Sequence, residues 1–336
     1  MIKEAPEVGT PKVEESQGKE ASVSEREPRI NLTIFSSAHR TREDARGLKE
    51  LFEKADIYIP EIAGVSPAIR EYYDVVARDG LDLSRLSPEE RREVFTSFRA
   101  SDYEMVAGSK KPFLFVDVPK DSEWMVRYRR VHADFYAIAK RFISGKNFDE
   151  LLRQYSSAIE KWADLQKERE EYIRETLKRE LPRIVKEHPA LRDRQELNVL
   201  MQLGAEHTTF YRAIKRDMEI AGGAARRVWN EMPFVFGYPA ELMRRYYFKK
   251  SQRAKEGITD ELFARTLFEE VLYEIFGDVI SDSAMLVRVS RHIAGQLGLK
   301  EIKEISEKGI LGFGKKALLD HLVSLGVDIP GMEGPK

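Results

Sequence analysis

Four short apolar runs alternate along this chain with long amphipathic segments of helical period, and that alternation limits the fold more than any other feature. The runs are "INLTIF" (30–35), "ADIYIPEI" (55–62), "PFLFVDV" (112–118) and "ELNVLMQLG" (196–204). Each is rich in β-branched and aromatic residues and too short for a helix, which marks a buried strand. The segments between them read as helices. "TREDARGLKELFEKA" (41–55) starts at Thr41 as N-cap, with Asp44 three residues on and Leu48, Leu51 and Phe52 facing inward. Ser66 before Pro67 is a second helix start. Residues 122–188 are helical with a break near "SGKN" (144–147), and "TTFYRAIKRDMEIA" (208–221) follows the fourth strand.

Strands separated by helices predict an α/β fold: a central, mostly parallel sheet flanked by helices, here with a long helical insertion. Beyond "AGGAAR" (221–226) the pattern is almost wholly helical, at about 239–256, 259–276, 281–297 and 314–325, with Thr259 and Asp278 as caps. The expected organisation is a charged, disordered tail over 1–29, an α/β domain over 30–220 and an all-helical C-terminal region over 221–336.

Composition narrows the classes of function. The chain of 336 residues carries 56 Lys and Arg against 57 Asp and Glu, a balance that argues against nucleic acid or another strongly charged partner. The absence of cysteine excludes disulfides and Cys-ligated zinc. The first residues lack the apolar stretch of a secretory signal, and no run of eighteen apolar residues occurs, so a cytoplasmic protein without membrane contact is the expectation. Homo-oligomerisation is left open. Among motifs, HExxH, GxSxG and the Walker-type glycine loop are absent. "GILGFGKK" (309–316) follows a helical stretch and reads as a helix-start turn.

In open α/β sheets functional groups collect where strands end. His39 lies just after the first strand, Glu61 ends the second, Asp117 sits near the end of the third, and Glu206 and His207 follow the fourth. "SSAH" (36–39) and "GAEH" (204–207) both place His fourth in a small-residue turn between an apolar strand and a helix. Two imidazoles with two or three carboxylates form a donor set for a divalent ion: Zn, Fe or Co through imidazole, Mn through carboxylate. An ion with an open position activates water for ester or amide hydrolysis. Each residue also has a plainer reading, His39 as a loop residue, Asp117 as a turn acid and Glu206 as a helix-start carboxylate. His132, His188, His292 and His321 lie in helical runs with no partner at ligand spacing and read as structural.

The order of these elements resembles the TraB/PrgY/TIKI group, kin to erythromycin esterases and ChaN-like proteins, over residues 30–216. The matching motifs are "SSAH", "DIYIPEI" with Glu61, "KEREEYIRETL" with Glu168 and Arg169, and "VLMQLGAEH" with Gly204 and His207. The resemblance implies a metal-dependent hydrolase, a peptidase or esterase acting on a peptide or small ester with Mn, Co or Zn as cofactor. It implies that His39 and His207 are metal ligands, or a ligand and a base, and that Glu61 is a ligand or general base. Arg169 would steady a carboxylate or oxyanion; Asp117 joins the metal set and Glu206 the catalytic set on their strand-end positions. The chain departs from the pattern at Ser36, where Gly is expected, at Glu170, where Asp or Asn is expected, and in lacking membrane segments. The alternative reading is a non-catalytic ligand-binding or regulatory protein on the same fold, or nucleic-acid binding through the basic, aromatic run "MRRYYFKKSQRAK" (243–255).

Overall fold

The structure, a computed structural model, describes residues 28–37, 42–80, 105–145, 147–204, 209–229, 257–277 and 283–330, with a few single residues between, among them His207, Leu242, Arg245 and Tyr246. The elements in chain order are β1 (Arg29–Ser37), α1 (Arg42–Lys54), β2 (Ile57–Ile59), α2 (Pro67–Asp79), α3 (Glu123–Ile143), α4 (Phe148–Glu187) and α5 (Pro189–Arg192). They continue with β3 (Glu196–Gly204), α6 (Phe210–Ile220), β4 (Ala224–Trp229), α7 (Asp260–Phe276), α8 (Ser283–Gln296), α9 (Leu299–Glu307) and α10 (Lys315–Ser324).

The four strands form one all-parallel sheet in the order β2-β3-β1-β4. Its alternate residues face two different cores. Phe35 and Leu200 meet Leu48, Phe52 and Tyr73 from α1 and α2 on one face. Leu32, Ile34, Val199, Met201 and Leu203 meet Ile173, Leu177 and Leu181 of α4 and Phe210 and Ile214 of α6 on the other. The chain leaves β1 through α1 toward β2 on the first face, and leaves β3 through α6 toward β4 on the second. Connections that run opposite ways on opposite faces are what right-handed crossovers require. They part at the carboxyl ends of β1 and β3, the position where open α/β sheets form a ligand crevice.

The strand at β4 departs from the sequence expectation, which began an all-helical region at 221. Ala224–Trp229 instead pairs with β1 from Asn31↔Ala224 to Ser36↔Trp229. Two alanines and two arginines hide its strand character, because an edge strand is only half covered. The expected third strand over 112–118 touches β2 at a single bridge, Tyr58↔Phe113, since β2 offers only three residues to pair with.

A third core is helical. Phe142 of α3 and Leu151 and Tyr155 of α4 pack with Leu267, Phe268, Ile302 and Leu322 of α7, α9 and α10. The 40 residues of α4 extend about 60 Å, long enough for its first half to serve this core and its second half the sheet. The division at 220 thus cuts across elements that share a helix. The break expected at 144–147 is present: Gly145 has φ +72°, and a Cβ there would sit 3.0 Å from the Ser306 carbonyl oxygen. Thr259 caps α7, its hydroxyl accepting from the Leu262 N–H at 3.2 Å. Residues 310–313 form a 3₁₀ turn leading into α10, as expected for "GILGFGKK"; α9 was not foreseen. Residues 1–27 of the expected tail, Thr41 and Asp278 lie outside the described residues. Among the described residues no helix is long and apolar enough to cross a membrane.

Candidate functional site

The carboxyl edge of the sheet gathers charged residues from four separate parts of the chain. Glu61 follows β2. Asp117 ends the extended segment beside it. Arg169 and Glu170 lie midway along α4, where it passes this edge, and His207 and Thr209 follow β3. Arg169, Glu170, Asp117 and His207 are all buried. The loop after β2 is shaped by Gly64, at φ +73°, whose N–H donates to the Val118 carbonyl at 2.8 Å and so ties the Glu61 loop to the Asp117 segment.

Arg169 is the centre of the cluster. Its Nε donates to Asp117 Oδ1 at 2.8 Å and its Nη2 to Oδ2 at 2.5 Å, the two-pronged pairing that a planar guanidinium allows. Nη2 also reaches Glu61 Oε1 at 3.0 Å. The ring of Trp124 lies 5.8 Å from the guanidinium carbon, and its indole N–H is held by the Leu165 carbonyl at 2.7 Å. Glu61 Oε2 accepts from the Gly204 N–H, which fixes the carboxylate to the end of β3. His207 stands between two carboxylates, with Nε2 3.0 Å from Glu61 Oε1 and Nδ1 3.1 Å from Glu170 Oε1; Glu170 Oε2 takes the Thr209 hydroxyl at 2.6 Å.

These distances decide the protonation of His207. Each ring nitrogen faces a carboxylate oxygen, so each needs a proton, and the ring is an imidazolium. Burial pushes the imidazole down, but the Glu61 charge and the hydrogen bonds to Glu170 and Glu61 outweigh both burial and the Arg169 charge, and hold it up at about 9. Burial likewise opposes the charge on Arg169, while Asp117 and Glu61 keep it above the ordinary arginine range. Arg169 Nη1 approaches His207 Nε2 at 3.5 Å, yet that nitrogen already donates to Glu61 at the shorter 3.0 Å and has no lone pair to offer. Among the described residues Nη1 is therefore a charged donor without a good acceptor, at the ligand-binding edge of the sheet.

Of the residues singled out in the sequence, Glu61, Asp117, Arg169 and His207 converge here. His39 and Glu206 lie outside the described residues. Glu168 points away and pairs with Arg127 of α3 on the surface. Its neighbour Glu170 is the inward acid instead; position 170 carries the helix stripe Gln166–Arg169–Glu170–Ile173 at spacings of three and four, a signal present in the sequence. Arg227 of β4 was missed with its strand: it donates from Nη2 to the His207 carbonyl at 2.6 Å. Of the basic run 243–255, Arg245 and Tyr246 are described; Tyr246 is buried in the helical core, and the others lie outside the described residues.

The described residues do not fit a divalent ion. Asp117 and Glu61 spend their oxygens on Arg169, His207 and Gly204, and both His207 nitrogens carry protons. A metal needs deprotonated, free donors, and here it would have to displace a guanidinium. Among the described residues no group of three His, Asp or Glu is placed to hold one. No protein-family model, curated protein or solved structure matches this chain.

Proposed function

We propose that the chain is a hydrolase of ester or peptide bonds whose site is the crevice at the carboxyl ends of β1 and β3. The observation that supports this is the state of Arg169. It is a buried guanidinium, fixed on Asp117 and Glu61, with Nη1 left without a good acceptor beside a second fixed cation, His207. Hydrolysis of an acyl bond builds negative charge on the carbonyl oxygen. A preorganised cationic donor in a site shielded from water stabilises that charge more than the neutral ground state, which lowers the barrier. Glu61, Asp117 and Glu170 hold the two cations in place. The resemblance makes His39 and His207 metal ligands, or a ligand and a base; with His207 protonated, His39 is left as the base that activates water, and Glu206 directly precedes His207 in the sequence.

A buried ionic cluster is costly to desolvate, and well-packed apolar residues stabilise a core at least as well. Five ionisable side chains from four chain segments at a ligand-binding edge thus favour a chemical role over a purely structural one. The test is to strip the protein with a chelator, measure its metal content, and screen it against a peptide library and model acyl esters. Turnover by the stripped protein is the expected result. Absence of turnover both with and without added Mn, Co or Zn would sink the hydrolase reading and favour a binding protein on the same fold.

A further inference from the structure

Arg227 stands on the edge strand β4 two residues before its end, on the sheet face that carries the ionic cluster. Its guanidinium lies 5.1 Å from the ring of Tyr211 and 4.8 Å from that of Trp229, and Nη2 is spent on the His207 carbonyl. Two rings and a backbone oxygen fix its direction. Yet among the described residues no ion pair joins it to a carboxylate, and its buried Nε has no hydrogen-bond partner. Burial also holds this guanidinium below the ordinary arginine range, outweighing the pull of Tyr211 and of the Glu170 charge.

A second orphan lies beside it. Ser36, 2% exposed, ends the same face of β1, and its hydroxyl is buried and unpartnered. Register places Ser36 opposite Trp229 and Ile34 opposite Arg227, so Ser36 and Arg227 are diagonal neighbours on adjacent parallel strands. Strand spacing and rise put their Cα atoms roughly 8 Å apart, within the reach of an arginine side chain. A buried donor left unmade is expensive, so two of them together at a ligand-binding edge point to a group that arrives from outside. Two donors, one of them cationic, select an acceptor that bears negative charge.

We infer that Arg227 and Ser36 form a subsite for an oxyanion, a carboxylate or phosphate carried by the ligand, next to His207. This rests on the reading of the carboxyl edge as the ligand site and adds to it that the substrate is anionic away from the bond that is cut. Arg227 then selects the substrate, while Arg169 acts on the reacting carbonyl. Direct binding, independent of turnover, tests it. Benzoate, phenyl phosphate and benzamide are titrated calorimetrically into the full chain, into R227Q and R227K, and into S36A, which deletes only one hydroxyl; thermal melts establish that each is folded.

The wild type should bind at least one of the two anions roughly 10–100-fold more tightly than benzamide, as one charged hydrogen-bonded contact warrants. The tighter anion identifies the oxyanion. R227Q should abolish that preference, R227K should keep part of it, and S36A should weaken anion binding severalfold. Equal affinity for all three probes, or an unchanged preference in both R227Q and S36A, overturns the subsite. Selective anion binding by a protein that hydrolyses nothing would remove the hydrolase reading alone. Hydrolysis without any anion preference would remove the subsite alone.

Discussion

Arg169 closes both prongs of its guanidinium on Asp117, 52 residues earlier in the chain, with Nε on Oδ1 at 2.8 Å and Nη2 on Oδ2 at 2.5 Å, both partners being buried. Removing one partner strands the other as an unpaired buried charge. Arg169→Met is therefore expected to destabilise the fold by about 3–5 kcal/mol, and Asp117→Asn by a comparable amount. The double variant Arg169→Met with Asp117→Asn should cost less than the sum of its parts. Denaturant unfolding of the three variants measures this; full additivity would mean the pair is not energetically coupled.

His207 gives the protein a pH-dependent stability. Its folded value of about 9 lies above the unfolded imidazole value of 6.5, so the folded state binds the proton more tightly. The contribution is fully present below about pH 6.5 and is lost as pH rises through about 9, worth about 3 kcal/mol at most. Urea midpoints from pH 6 to 10 should fall across that window in the wild type and change less in His207→Gln. A wild-type midpoint that holds level from pH 6.5 to 9.5 would show the ring to be neutral in the folded protein.

Gly64 tests how the Glu61 loop is held. A Cβ at this position would come within 2.6 Å of Met125 Cε, and the backbone sits at φ +73°. The methionine end can swing aside, whereas the left-handed backbone costs about 1–2 kcal/mol for any L side chain. Gly64→Ala should thus destabilise by about that amount, and adding Met125→Ala should not restore it. Recovery in the double variant would assign the cost to the contact.

Lys111 fastens the extended segment that leads to Asp117. Its ammonium donates to three carbonyl oxygens at the end of α1, those of Phe52 at 2.5 Å, Glu53 at 3.0 Å and Ala55 at 2.6 Å. Lys111→Met keeps the apolar stem and loses all three bonds, for an expected loss of about 1–3 kcal/mol by chemical denaturation. An unchanged midpoint would mean that water replaces the ammonium without penalty.

Much of this edge was legible in the sequence, and for a physical reason. A strand buried on both faces, such as "NVLMQL", announces itself by continuous apolar residues, and the polar residue that follows must lie at the sheet edge. Glu61, Asp117 and His207 stood out in that way. Arg169 did not follow from its own surroundings, where acids and bases alternate as on a solvated helix; only the resemblance raised it. Strand β4 stayed hidden because edge strands tolerate arginine and alanine, and Arg227 was hidden with it. The charge state of His207 was beyond sequence reasoning, since it depends on Glu170, a carboxylate 37 residues away in the chain.

The proposed hydrolysis depends on the fixed charge of Arg169, and not on a metal ion, to stabilise the reacting carbonyl oxygen. It is tested most directly by comparing chelator-treated wild type with Arg169→Lys on the best ester or peptide found in a screen. Lysine keeps the charge but cannot hold Asp117 and Glu61 while leaving a donor free. Full wild-type activity after chelation is expected, with a fall in kcat of about 100–1,000-fold in Arg169→Lys and KM nearly unchanged. Activity that vanishes on chelation and returns with Mn, Co or Zn, or an Arg169→Lys variant with wild-type kcat, would contradict it.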